Sequence, residues 1–254
     1  KFTSDRMEAF IGDIHARDHE ATGRIALDES GKILGFDVDD WTGIGPYSIY
    51  PRTSAVEGLQ VTNLIGGPYA FDHYRCRTSV VFQNKGICAQ YRAVGHPVAV
   101  AITEGLVDKA AAEMGIDPIE LRRRNLIADD AYPLTTAAGL KLEGLSHHRS
   151  LDALVEAMDY EALRAEQKAL REKGIHRGIG IASFIELTNP SPFMYGIGGA
   201  RISAQDGCTV RMDPDGSVVA LTGITEQGQG TEAIMAQIVA EAVGVSPQMV
   251  RIVT

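Results

Sequence analysis

The sequence has few cysteines, and they lie far apart. Cys76, Cys88 and Cys208 form neither a CxxC pair nor an even disulfide set, so we expect reduced thiols and a cytoplasmic location. Because no activating residue stands beside Cys88 or Cys208, both are expected to be buried thiols. The same spacing excludes a zinc site or an iron–sulfur cluster built within this chain.

Long apolar runs and nucleotide-binding motifs are also missing. No apolar run approaches the roughly 20 residues of a membrane span, and no signal peptide is recognisable. The motif GxxxxGK[ST] and the strict form of GxGxxG are both absent. The net charge of -9 argues against a non-specific nucleic-acid binder.

What is present is typical of a globular protein of one large or two small domains, with 254 residues of which 44% are hydrophobic and 22% charged. Both ends interrupt strand-like sequence, so we expect a piece of a longer polypeptide. The predicted elements are a hairpin over 21–41, a strand over 75–83, helices over 97–115 and from Asp117, a helix over 150–173, strands around 176–187 and 199–223, a helix over Thr231–Val243, a single turn over 246–249 and a final strand. This mixed order favours an α+β fold with mixed sheets and packed helices. We expect two lobes, 1–128 and 150–254, joined by a connecting loop over 129–149.

The segment "EQGQG" leads from a strand-like run into an alanine-rich helix. Gly228 and Gly230 let the backbone approach a ligand closely, and the helix start offers unpaired N–H groups with a partial positive charge. Gln229 adds an amide that donates and accepts hydrogen bonds. The segment suits a phosphate or a heterocycle that accepts hydrogen bonds. The alternative is a tight turn that needs glycine for its backbone alone.

The segment "AQYRAVGHP" places one arginine in a loop between a strand and a helix. Arg92 could hold an anionic group or polarise a substrate carbonyl, because its guanidinium keeps its charge. The alternative is a surface ion pair. His96 could titrate near neutral pH, but we expect an ordinary surface histidine.

Three further groups are weaker candidates. Glu186 ends a predicted strand, where it could be an active-site carboxylate or an edge-strand charge. His15 and His19 lie four residues apart in strand-like sequence; exposed strand faces often carry such residues, so we predict no metal site. The arginines of "LRRRNL" are expected to pair with nearby carboxylates.

Four stretches together resemble one family. They are "RMEAFIGDIHARDHEATGRIALDESGKILGFDVD", "YRAVGHPVAVAITEGLVDKAAAEMGIDPIELRRRNLI", "GIGIASFIE" and "VRMDPDGSVVALTGITEQGQGTEAIMAQIVAEAVGVSPQMVRIV". In this order they are similar to the molybdenum-binding large subunit of the xanthine dehydrogenase, aldehyde oxidase and aerobic carbon monoxide dehydrogenase family. The resemblance covers nearly the whole chain. It implies part of a larger molybdopterin-binding region.

The resemblance also implies an activity. The family uses a molybdenum–pterin cofactor, molybdopterin or its cytosine dinucleotide form, to oxidise an aldehyde or N-heteroaromatic substrate with oxygen from water. Iron–sulfur clusters and FAD on other domains or subunits carry the electrons away. The implied partners are these subunits and a small-molecule substrate, in a complex expected to be a homo-oligomer.

Matching residues take the family's roles within the first loop. Arg92 matches the arginine beside the molybdenum centre and is the predicted catalytic residue. Arg92, Ala93, Val94 and Gly95 are the predicted cofactor contacts there. Carbon monoxide dehydrogenases carry a copper-binding cysteine where this chain has Ala93, which disfavours copper-dependent oxidation of carbon monoxide.

In the second half of the chain, Gly228, Gln229 and Gly230 match the pterin-contacting turn, so their amides are expected to face the cofactor. Phe184 falls at a substrate-pocket position. We expect this turn and the Arg92 loop to converge on the cofactor.

Two family features are missing from the sequence. The glycine-rich "GGxFGxK" loop and the late catalytic glutamate have no counterpart here, and Glu186 does not match the glutamate's motif. Because a general base contributes about 10²–10⁴ in rate, the chain alone is expected to be inactive. The alternatives are a catalytically silent structural or assembly homologue and a simple phosphate- or nucleotide-binding domain.

Overall fold

The computed structural model describes residues 3–49, 53–186 and 206–254, which belong to two compact units, Lys1–Asn189 and Pro190–Thr254. The described helices are α1 (Arg6–Gly12), α2 (Val56–Leu64), α3 (His96–Met114), α4 (Pro118–Asn125), α5 (His147–Ala157), α6 (Tyr160–Glu172) and α7 (Thr231–Val243), with a 3₁₀ turn at Pro247–Met249. The described strands are β1 (His19–Leu27), β2 (Ile33–Gly43), β3 (His73–Val81), β4 (Leu134–Thr135), β5 (Lys141–Leu142), β6 (Cys208–Met212), β7 (Val218–Thr222) and β8 (Val250–Val253). This composition confirms the α+β class. Among the described residues, no helix combines the length and apolar character that a bilayer crossing requires.

The first unit contains a three-stranded sheet in the order β1-β2-β3. Strands β1 and β2 form the predicted hairpin and pair antiparallel, whereas β3 pairs parallel with β2. The hairpin turns where the Asp28 carboxylate accepts hydrogen bonds from the amides of Ser30 and Lys32, at 2.9 and 3.0 Å. The sheet is therefore mixed, with β2 at its centre.

Helices cover this sheet and close the first core. The buried apolar side chains come from β2, α2, α3 and α4, with contributions from α5 and α6, and include Ile33, Phe36, Val38, Val61, Ile65, Tyr69, Val107, Ala111, Ile119, Leu121, Leu151 and Tyr160. Helix α3 ends at Gly115, which takes a left-handed conformation, and α4 begins after the Asp117 cap. Both signals were predicted and are confirmed.

The side chain of Asn125 ties α4 to the hairpin. Its Oδ1 accepts a hydrogen bond from the Ile33 amide at 2.7 Å, and its Nδ2 donates to the Gly31 carbonyl at 2.8 Å. Asn125 is buried, and its side chain satisfies backbone groups that have no backbone partner there. The asparagine of the motif "LRRRNLI" therefore has a structural role.

The second unit contains the sheet β6-β7-β8, with β6 antiparallel and β8 parallel to β7. Val218, Ala220 and Val239 form its core. Helix α7, the 3₁₀ turn and the final strand confirm the predicted order. The part of the predicted strand region before Asp206 lies outside the described residues.

Two helix predictions were wrong. Residues 6–12 form a helix rather than a strand, because Asp5 and Glu8 build a reciprocal capping box. In place of the one helix expected over 150–173 there are two, α5 and α6. Helix α5 begins earlier than expected, at His147, and Asp159, with a φ of 47°, separates the two helices. Helix α2 had no counterpart among the predictions.

The strand expected around 176–187 is also absent: within the described residues 175–186, none is part of a strand. No described strand pairs with residues 175–186, and the Ile181 carbonyl accepts a hydrogen bond from the buried Arg122 side chain instead.

The predicted lobes and the packing units divide the chain differently. Helices α5 and α6 belong to the first unit because Leu151 and Tyr160 are buried in its core. The lobes 1–128 and 150–254, with the connecting loop over 129–149, stay a prediction.

Candidate functional site

The Arg92 loop, residues 91–95, connects the region after β3 to α3. Arg92 is exposed to solvent. Ala93 and Val94 follow it with φ angles of 76° and 50°. For a β-branched residue such as Val94 this left-handed conformation is uncommon and strained. Consecutive strain of this kind persists only where the surroundings impose it, and it concentrates at functional sites.

Hydrogen bonds fix the backbone of this loop on both sides of the strained pair. The Val94 amide donates to the Tyr91 carbonyl at 2.6 Å. The Ala93 carbonyl accepts from the amide of His96 at 3.0 Å and from its Nδ1 at 2.7 Å. The Gly95 amide donates to Gln60 Oε1 at 3.0 Å. The loop is thus held in one shape, with the Arg92 side chain free to face a ligand.

His96 is buried, at 4% exposure, so the prediction of a surface histidine was wrong. It begins α3, and its ring faces back toward the loop to bind the Ala93 carbonyl. The described residues that lead to Glu186 form no strand, so Glu186 is neither at a strand end nor an edge-strand charge. Its Oε1 lies 4.0 Å from His96 Nδ1.

The predicted substrate residue, Phe184, lies near the start of α3. Residues 183–185 line a small cavity together with Leu64, His96 and Thr103, and the Phe184 side chain is 54% exposed. The structure therefore brings the Phe184 segment next to His96, the first residue after the Arg92 loop. That Phe184 contacts the substrate stays a prediction.

A buried ion pair holds the segment that carries Phe184. The Arg122 side chain is fully buried and donates to Glu104 Oε2 at 2.7 Å and to the Ile181 carbonyl at 2.8 Å. Tyr69 donates to the other oxygen of Glu104 at 2.7 Å. Burial raises the pKa of the Glu104 carboxyl, and the charge of Arg122 partly offsets this. The predicted ion pairs of "LRRRNL" are confirmed, but Arg122 pairs with Glu104 in the core.

In the second unit, the turn before α7 is shaped around a carboxylate. Glu226 Oε1 accepts from the amides of Gly228 and Gly230 at 2.7 and 3.2 Å, and its Oε2 accepts from the Glu232 amide at 3.3 Å. Partial burial opposes ionisation, but these amides outweigh it and lower the pKa of Glu226. The amides therefore face an anion supplied by the chain itself.

Glycine is required in this turn by its backbone. Gly228 and Gly230 have φ angles of 91° and 82°, a region that other residues rarely adopt. The Gln229 side chain lies across the turn: its Nε2 donates to the Thr225 carbonyl at 3.0 Å and to Thr231 Oγ1 at 2.8 Å. Its Oε1 accepts from the Gln227 amide at 2.6 Å.

The cysteines and histidines have different surroundings from those expected. Cys88 is buried as predicted, whereas Cys208 is exposed, so that prediction was wrong. His15 and His19 do not share a strand face, because β1 begins only at His19. Among the described residues, no group of three or more His, Cys, Asp or Glu is placed to hold a metal ion.

Comparison with known proteins shows which family the chain belongs to. Two family models, each described as a molybdopterin cofactor-binding domain, match residues 1–126 and 153–254. The chain belongs to the molybdopterin cofactor-binding domain family.

Individual members of this family match along nearly the whole chain. The nicotine 6-hydroxylase large subunit of Paenarthrobacter nicotinovorans is 32% identical over 96% of the chain, and the carbon monoxide dehydrogenase large chain of Hydrogenophaga pseudoflava is 31% identical over 99%. The crystal structure of quinoline 2-oxidoreductase from Pseudomonas putida 86 superposes with a TM-score of 0.90 at 31% identity over 98% of the chain. The chain spans 30% of the first of these proteins and 32% of the other two.

The Arg92 loop fits the cofactor that defines the family, because a pterin with its phosphate presents hydrogen-bond acceptors and negative charge, which suit an exposed guanidinium. In the second segment the amides of Gly228 and Gly230 are taken by Glu226, so they can contact a cofactor only when that carboxylate moves away. Sequence reasoning missed Glu226 and Gln60. A carboxylate two residues before a GQG turn is a local signal for the first; nothing local indicates the second.

Proposed function

We propose that this chain forms part of the cofactor site of a molybdenum hydroxylase large subunit, which oxidises an N-heteroaromatic or aldehyde substrate with oxygen from water. Arg92 is the proposed catalytic residue. Ala93, Val94 and Gly95 line the cofactor with it, and Phe184 borders the substrate. The turn of Gly228, Gln229 and Gly230 binds the pterin cofactor. The bound cofactor supplies the molybdenum and its redox chemistry.

The observation that carries this proposal is the Arg92 loop. Several of its carbonyls and amides are hydrogen-bonded to fixed partners, two consecutive residues are strained, and the exposed Arg92 side chain carries a permanent positive charge. A surface ion pair, the alternative role for Arg92, does not require a rigid loop. A catalytic site needs a charge that is in position before the substrate arrives, and a rigid loop that retains backbone strain meets this need.

One observation favours an N-heteroaromatic substrate, and a second argues against carbon monoxide. The relatives named for nicotine and quinoline are among the most similar proteins at 32% and 31% identity. Ala93 offers only a methyl group where a copper-binding cysteine is expected in carbon monoxide dehydrogenases, so oxidation of carbon monoxide at a copper–molybdenum site is not proposed.

Partners follow from the chemistry. Each turnover releases two electrons, and the cysteines of this chain do not form a cluster site. We therefore propose iron–sulfur and flavin subunits or domains as the electron acceptors. The proposed cofactor is molybdopterin or its cytosine dinucleotide form, and the proposed complex is homo-oligomeric and cytoplasmic.

The test is made on the full-length polypeptide that contains this segment, co-expressed with any adjacent electron-transfer subunits. Molybdenum and pterin are quantified, and hydroxylation of quinoline, nicotinate-type rings and aromatic aldehydes is assayed in isotopically labelled water. We expect about one molybdenum per chain, label in the product, and loss of at least about 10²-fold in turnover for Arg92→Ala. The matched control Arg123→Ala, which removes an exposed arginine paired with Asp152, should keep wild-type turnover.

Two results would contradict the proposal. A protein without molybdenum or pterin that still folds indicates the silent homologue. Tight binding of a nucleotide in place of the pterin, lost in Gly230→Ala, indicates the phosphate- or nucleotide-binding domain.

A further inference from the structure

A buried polar cluster lies beneath the Arg92 loop and takes no part in the site described above. His19 is held between two carboxylates: its Nδ1 lies 2.9 Å from Asp40 Oδ1, and its Nε2 lies 2.9 Å from Glu57 Oε1. The side chains of His19, Asp40 and Glu57 are at most 5% exposed. Because ionised carboxylates only accept, both ring nitrogens must carry hydrogen, so this geometry requires an imidazolium.

The cluster continues to the loop through Arg17. Glu57 Oε1, which binds His19, also accepts the Arg17 amide at 2.9 Å. Arg17 has a φ angle of 66°, a left-handed conformation that its hydrogen-bonded amide helps to fix. Its guanidinium donates through Nη2 to the Arg92 carbonyl and stacks 5.5 Å from the centre of the Tyr91 ring. Arg17 therefore contacts the two residues that precede the strained pair.

Two carboxylates, Asp40 and Glu57, share the single imidazole of His19, and Glu57 also accepts a hydrogen bond from the backbone amide of Arg17. Asp40 gains a further donor from the Thr42 hydroxyl at 2.9 Å. Glu57 Oε2 and Arg17 Nε are buried without a hydrogen-bond partner among the described residues.

Helix α2 is the element on which the cluster and the loop meet. Glu57 lies in its first turn, and Gln60, one turn later, binds the Gly95 amide. A Cβ atom on Gly95 would lie 2.5 Å from the Glu57 carbonyl oxygen. Helix α2 and Arg17 therefore fix the loop at its two ends, Gly95 and Arg92.

We propose that His19, Glu57 and Arg17 form a positioning relay that holds the Arg92 carbonyl and, through it, aims the Arg92 side chain. None of the three touches substrate in this assignment. Removal of the Arg17 guanidinium releases the carbonyl and lets Ala93 and Val94 relax out of their left-handed conformations. This inference rests on the proposed role of Arg92, but the order it predicts in the loop is independent of the cofactor.

The test compares three variants of the full-length polypeptide. Arg17→Met keeps roughly the length of the side chain and removes the guanidinium group, and Arg17→Lys restores the positive charge without the guanidinium group. Lys85→Met is the matched control, because Lys85 is a nearby cation paired with Asp18 outside the relay. Hydrogen exchange of residues 91–96 is measured in cofactor-free protein, and kcat and KM are measured in loaded enzyme.

Arg17→Met is expected to raise exchange in 91–96 by at least about tenfold and to lower kcat by at least about tenfold with KM changed by less than about threefold. Arg17→Lys recovers part of both, and Lys85→Met changes neither. Unchanged exchange in Arg17→Met, or raised exchange with unchanged kcat, overturns the relay. A wild-type protein that lacks molybdenum contradicts only the proposed function, since exchange in the cofactor-free protein still decides whether Arg17 holds the loop.

Discussion

Gly95 lies where the Arg92 loop passes closest to α2. A Cβ atom there would meet backbone atoms, the Glu57 carbonyl oxygen at 2.5 Å and the Val61 nitrogen at 2.9 Å, which cannot move aside as a flexible side chain does. Gly95→Ala is therefore expected to reduce the free energy of unfolding by about 1–3 kcal/mol and to displace the loop. Urea unfolding measures the effect.

Gly105 is the matched control for this substitution. It lies in the middle of α3, is exposed, and an added Cβ would meet nothing within 4 Å. Gly105→Ala is expected to increase stability by about 0.5–1 kcal/mol, because alanine is the better helix former. Equal effects of the two substitutions would contradict the close approach at Gly95.

His19 links stability to pH. Burial alone would lower the pKa of its imidazole, but hydrogen bonds to Asp40 and Glu57 outweigh this and raise the pKa to about 9, from 6.5. A raised pKa contributes stability that is complete below pH 6.5 and is lost as the pH rises through about 9. We expect a loss of no more than about 3 kcal/mol across this window. Urea unfolding at a series of pH values should show this slope in the wild type but not in His19→Gln; an unchanged slope in the variant would contradict the buried imidazolium.

At the residue scale, local sequence patterns indicated Arg92, Gly228 and Gly230 as candidates, because glycine beside a charged or amide side chain between two elements is visible in a short window. Gly95 was named only through the family resemblance. Arg17 was not predicted. It lies 75 residues from the Arg92 carbonyl that it binds, and only the folded chain brings them together.

At the scale of elements, Arg122 joins three parts of the first unit. It pairs with Glu104 and Asp108 of α3 and binds the Ile181 carbonyl of the segment that carries Phe184. Arg122→Met leaves the buried Glu104 carboxylate without its cation, so we expect a loss of about 3–5 kcal/mol in the free energy of unfolding. Differential scanning calorimetry or urea unfolding measures this.

Arg123 provides the control for Arg122, since it is the next residue and its partner Asp152 is 61% exposed. Arg123→Met should cost less than about 1 kcal/mol. The double variant Arg122→Met, Glu104→Gln should recover part of the loss, because the uncompensated charge is gone. Additive effects in the double variant would show that the two residues do not interact.

Elements with strong local signals were predictable. The hairpin β1–β2, α4 with its Asp117 cap, and α7 with glycine at both ends follow from capping and turn chemistry that needs no tertiary partner. The strand expected around 176–187 failed because a strand needs a neighbour, and here a buried side chain takes the carbonyl. The break at Asp159 within 150–173 had no glycine or proline to mark it.

At the scale of the whole molecule, the two candidate segments lie in different compact units, the Arg92 loop in the first and the turn of Gly228 and Gly230 in the second. The backbone is strained beside a cation in the first, and amides bind the Glu226 carboxylate in the second. The chain spans 30–32% of the relatives compared above, so the function proposed belongs to the longer polypeptide.

The position of molybdenum tests the central claim most directly. Crystals of the cofactor-loaded full-length protein, measured near the molybdenum absorption edge, locate the metal by its anomalous scattering. The account predicts one strong peak beside the Arg92 side chain, with the pterin held by residues of the 91–95 loop. A peak elsewhere, with Arg92 exposed to solvent and remote from the cofactor, would contradict it.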